Sequence, residues 1–157
     1  MMSFKDIELN TEYRSGKSDV IKDFYIPVLS RAVKYKRAVG FFSSTALIQI
    51  AKGISEMVVN GGHIQLIASP RLSEEDILAI QKGYESREQI VTNAIMREFK
   101  EPTSYFESER LNMLATLIAV GKLDIKLAFT HSHNQLGIYH EKMGLVYDAD
   151  NNIIAFS

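Results

Sequence analysis

His140 and Lys142 stand two residues apart within an apolar run, residues 138–147, that has the composition of a β-strand. Side chains alternate between the two faces of a strand, so the imidazole and the ammonium emerge together while Glu141 points the other way. An oriented imidazole is a competent nucleophile near neutral pH. An adjacent ammonium offsets the charge that builds on a phosphoryl group under attack. The pair therefore points to phosphoryl transfer. Asp148 lies six positions beyond Lys142, at the far end of the same run.

Other polar residues compete for or join this chemistry. His131 and His133 fall in a polar segment, residues 130–135, that reads as a loop after a strand end, where they would contact phosphate or substrate. With His140 and Glu141 they also form a set able in principle to ligate a metal, although surface loop histidines fit the same pattern. Ser43, Ser44 and Ser69 close predicted strands, at the edge where α/β proteins place ligands, and Ser43 or Ser44 equally well caps a helix. Phe41 and Phe42 read as core. The basic cluster Arg31, Lys34, Lys36 and Arg37 reads as a solvated helix end.

The elements that must position these groups follow from apolar spacing. Ser18 offers a cap to a helix carrying Val20, Ile21, Phe24, Val28 and Leu29, and Pro27 interrupts it, either as a kink or by opening the second of two short helices in tandem. Residues 38–42 form a short buried strand. A helix over residues 43–58 carries Leu47, Ile50, Ala51, Ile54 and Met57 on one stripe and stops at Gly61-Gly62. Residues 63–69 make the next strand. Strand, helix and strand in about 30 residues is a βαβ unit, which predicts parallel pairing.

Further helices are expected from Ser73, which pairs with Asp76 in a capping pattern, then over residues 87–99 and 105–120, with Pro102 between them and Gly121 ending the last. Residues 123–129 are a strand. Residues 138–147 and 153–156 are two strands joined by the turn-rich segment 148–152. The expected fold class is α/β, a mixed and largely parallel sheet flanked by helices, in a single domain over residues 1–157. The last apolar run breaks off at Ser157, which reads as a chain truncated within its final strand.

Composition narrows the function classes. The chain has 157 residues, no cysteine and a net charge of −1 from 18 basic and 19 acidic residues. Disulfides and thiolate metal sites are excluded, and bulk electrostatic attraction to nucleic acid is too weak to act alone, so any phosphate binding must be local. No window approaches a membrane span or a signal peptide, which makes a cytoplasmic protein with no membrane partner the expectation.

The stretch His140-Glu141-Lys142-Met143-Gly144-Leu145-Val146-Tyr147-Asp148, followed by Ile153-Ile154-Ala155-Phe156-Ser157, resembles the signature of the phospholipase D superfamily: His, any residue, Lys, four residues, Asp, then Gly-Ser and often Asn. Here five residues rather than four separate Lys142 from Asp148, and the Gly-Ser and Asn would begin at or after Ser157. Residues 37–44 and 64–69 are similar to the opening strands of the phospholipase D-like domain at the front of bacterial helicases and restriction-type proteins.

The resemblance implies a phospholipase D-like half domain with His140, Lys142 and Asp148 as catalytic residues and Ser157, His131 and His133 near substrate. It implies a phosphodiesterase, a nuclease acting on DNA rather than RNA, working through a phosphohistidine with no metal or other cofactor. A single motif per chain implies a homodimer with the active site across its two-fold axis, and a helicase or ATPase module in the parent protein. The alternative is a non-catalytic DNA-binding or dimerisation module of the same fold. A lipid-directed enzyme is disfavoured, because no amphipathic helix has a basic face.

Overall fold

The structure, a computed structural model, describes residues 2–14, 16–41, 48, 51–69, 71, 73, 75, 87–98, 101–132, 135–138 and 141–157. It is an α/β arrangement built on a mixed five-stranded sheet with helices. The elements are α1 (Ile26–Leu29), β1 (Lys34–Phe41), α2 (Ala51–Val59), β2 (His63–Ser69), α3 (Arg87–Met96), α4 (Tyr105–Ala119), β3 (Leu123–Leu127), β4 (Phe129–Ser132), β5 (Gln135–Ile138), β6 (Met143–Tyr147) and β7 (Ile153–Phe156). Among the described residues no helix is long and apolar enough to cross a membrane.

The large sheet runs β3-β2-β1-β6-β7. Strands β1, β2 and β3 are parallel, as the βαβ pattern requires, whereas β6 and β7 run antiparallel to β1 and to each other. Two helices enter parallel strands through the same local device. Gly61 after α2 and Gly121 after α4 both take positive φ, 78° and 74°. Gly62 then donates to the Met57 carbonyl at 2.8 Å, as Lys122 does to that of Leu117. Such a left-handed residue closes the helix and costs a side-chain-bearing residue strain that glycine escapes.

Alternation sorts the sheet into two faces. Tyr35, Ile64, Leu66, Leu123 and Val146 are buried on one, against Leu29, Ile54 and Met57 from the helices around α1 and α2, and Leu114 and Leu117 from α4. Phe156 joins that face with its ring 4.9 Å from Phe24 and 6.3 Å from Tyr35. It crosses β6 at Gly144, where a Cβ would clash with the Cζ end of the Phe156 ring.

Three expectations about local structure give way. The basic cluster does not end a helix: Lys34 opens β1, so Lys34, Lys36 and Arg37 are strand residues. Val33 joins the sheet by donating to the Tyr147 carbonyl at 2.8 Å, and His63 reaches the Val33 carbonyl at 3.0 Å. Cross-strand pairing therefore overrides the helical spacing. Ser18 is replaced as a cap by Asp19, whose carboxylate accepts from the Lys22 N–H at 3.2 Å ahead of a π-helical turn, Ile21–Tyr25, that leads into α1. Residues 130–135 are not simply a loop, because Thr130 to Ser132 pair with Gln135 to Gly137 in the small β4-β5 sheet. Ser43, Ser44, Phe42 and Asp76 lie outside the described residues.

Candidate active site

The chain order of the sheet reverses beside β1, with β2 and β3 on one side and β6 and β7 on the other. Open α/β sheets bind ligands at such a switch point, outside the carboxyl ends of the parallel strands. Here Phe41 pairs with Ser69 and Ala68 with Leu127, which brings the ends of β1, β2 and β3 to one edge. Ala38 pairs with Met143, so Lys142 enters the sheet at that same edge. Phe156 pairs with Gly144, so Ser157 leaves there too. Lys142 and Ser157 are both exposed, and Ser69 is buried.

The expected uninterrupted strand across residues 138–147 is instead two strands, β5 ending at Ile138 and β6 starting at Met143. Lys142 stands ahead of β6 rather than within it, so strand alternation does not fix its direction relative to its neighbours. His140 and His133 lie outside the described residues. His131 is in β4, paired with Leu136, on a hairpin that begins just after β3 reaches the carboxyl edge.

Asp148 is elsewhere. Because β6 runs against β1, its last residue Tyr147 pairs with Lys34, at the opposite edge of the sheet from Lys142. Six residues at strand rise separate the two by roughly 20 Å. The carboxylate is 1% exposed and engaged on both oxygens. Oδ1 accepts from the N–H groups of Asp150 at 3.0 Å and Asn152 at 2.8 Å. Oδ2 accepts from Ser3 Oγ at 3.0 Å, the Phe4 N–H at 2.9 Å and Asn152 Nδ2 at 2.8 Å.

Burial alone would raise the pKa of Asp148. The donors of Asn152, Phe4 and Ser3 outweigh it and hold the carboxyl down at about 2. Within one chain Asp148 therefore stands at the sheet edge opposite Lys142. Its side chain ties the N-terminal turn to the β6-β7 hairpin, where Asn151 takes the left-handed conformation that asparagine tolerates.

Two arginines near the carboxyl edge escaped the sequence reading. Arg37 pairs with Gly144 and lies on the covered face, its guanidinium 5.1 Å from the centre of the Phe156 ring, with Nη1 buried and lacking a hydrogen-bond partner among the described residues. Arg71, just past β2, lies 4.7 Å from the Phe41 ring and 3.6 Å from Glu98. The signal for Arg37 was a cation at an inward position of an alternating strand, hidden while the segment was read as a helix end.

Comparison with protein-family models and with curated proteins returns no match to this chain.

Proposed function

We propose that this chain is a metal-independent phosphodiesterase domain of phospholipase D-like type, acting on nucleic acid as a nuclease and as a two-fold homodimer. The observation that carries the reading is the delivery of Lys142 to the carboxyl edge beside the β1-β6 switch point. Ser157 returns to that edge from β7.

In this scheme an imidazole nitrogen of His140 attacks the phosphorus, the P–N bond forms and the P–O bond to the leaving strand breaks. His140 of the partner subunit gives its proton to the departing oxygen. Water then attacks the phosphohistidine, losing a proton to the second imidazole, and the P–N bond breaks to release the 5′- or 3′-phosphate end. Lys142 binds a non-bridging oxygen throughout. Asp148 acts as an anchor of the fold.

The test is isolation of the intermediate: an oligonucleotide strand joined to the chain through an acid-labile, alkali-stable phosphoryl link, trapped by an alkaline denaturing quench during turnover and absent from His140→Ala. A DNA-binding or dimerisation module without turnover is the second reading, favoured by the removal of Asp148 from the reacting edge. DNA is preferred over RNA as the substrate, and a helicase or restriction-type parent protein with a cytoplasmic location completes the proposal.

A further inference from the structure

The face of the sheet opposite the core holds a groove of about 320 Å³ that crosses β3, β2, β1 and β6. Its rim is basic and its floor apolar. Lys36 and Lys126 are exposed at its sides, and Gln65 lies between them. Ile67 at 38% and Met143 at 49% exposure form the floor with Leu145. Lys34 extends the basic rim along β1, its ammonium 5.3 Å from the Tyr147 ring, with that of Lys36 at 6.0 Å. Among the described residues Asp124 is the one acidic residue lining the groove, and His63 sits 3.2 Å from its carboxylate on the same face.

The outer face of a solvated sheet is normally polar along its length. An apolar floor between lysines in a chain of net charge −1 matches a ligand with a charged backbone and flat apolar faces. Four strands at sheet spacing make the groove about 14 Å wide, room for one strand with its bases laid down. Met143 both floors the groove and follows Lys142, so the groove ends one residue from Lys142.

We infer that this face binds single-stranded nucleic acid and leads it to the edge where Lys142 stands, a proposal that rests on the phosphodiesterase reading for its destination. Lys36 and Lys126 contact phosphates, and Ile67, Met143 and Leu145 contact bases.

The experiment is fluorescence anisotropy of a labelled oligothymidylate with the His140→Ala chain, alone and with Lys36→Ala/Lys126→Ala added. Hydrolysis of the small diester bis(4-nitrophenyl) phosphate is read in parallel on chains that keep His140. We expect the double substitution to weaken oligonucleotide binding at least tenfold and to reduce the salt slope by about 1.4, two phosphate contacts on a single strand. Diester hydrolysis should stay within about twofold.

Ile67→Asp, which places a charge on the floor, should weaken binding as well, while Lys17→Ala, outside the groove, should not. Oligonucleotide affinity unchanged by both groove variants overturns the proposal. So does polyglutamate binding as tightly as the oligonucleotide, or a self-association dissolved by the same substitutions, since the face would then serve a peptide or a second copy. Absent diester hydrolysis in the unsubstituted chain would defeat the catalytic reading and leave the binding result to be judged by itself.

Discussion

Ser3 and Asp148, 145 positions apart, are joined by a 3.0 Å hydrogen bond between hydroxyl and carboxylate. Ser3 also caps its own turn, accepting from the Lys5 N–H, while Asp6 accepts from the Ser3 N–H at 2.9 Å. The N-terminal turn is thereby locked onto the β6-β7 hairpin, and Phe4 is held in the core beneath it.

Replacing Asp148 with Ala should remove about 3 kcal/mol of stability, because buried N–H donors of Phe4 and Asn152 lose a charged acceptor. Ser3→Ala should cost less, about 1 kcal/mol, since one neutral donor is lost. Urea melts of both variants check the order.

Acid should expose the same interaction. The folded carboxyl of Asp148 titrates at about 2, below the ordinary value of roughly 3.9 for an unfolded chain. Its contribution is therefore complete above about pH 4 and is lost as pH falls towards 2. Melts between pH 6 and pH 2 should show a decline in the native chain that Asp148→Asn, already weakened at pH 6, shows less steeply.

Gly144→Ala should destabilise by about 2 kcal/mol, because the added methyl meets the Phe156 ring, which is itself pinned by Phe24 and Tyr25. Adding Phe156→Leu should recover part of that loss, so the double variant is less unstable than the sum of the singles. Thermal unfolding of the four chains gives the coupling.

Lys142→Ala should leave stability within about 0.5 kcal/mol, since the residue is exposed and stands outside β6. Diester hydrolysis should fall at least a hundredfold, a loss on the order of that seen when a transition-state charge loses its donor. Parallel melting and rate measurements separate the two effects.

What could be read from residue order was what local physics dictates. The β1-α2-β2 unit, the helix stops at Gly61 and Gly121 and the hairpin turn at residues 148–152 each carry their signal within a few residues. The start of β1 at Lys34 was hidden because its pairing partners, His63 and Tyr147, are distant in sequence. Asp148, at the far end of the same run, was grouped with Lys142 only through the family resemblance, and spacing along one strand says nothing of which sheet edge a strand end reaches. Pairing with β1 decides it. The role of Ser3 was half visible in its spacing to Asp6, but its bond to Asp148 was not.

The most direct measurement of the catalytic reading is cleavage of single- and double-stranded DNA in the presence of EDTA by the unsubstituted chain and by His140→Ala. We expect cleavage that survives the chelator and disappears with the imidazole. Cleavage abolished by EDTA, or unchanged in the folded His140→Ala chain, would contradict a metal-independent phosphohistidine route.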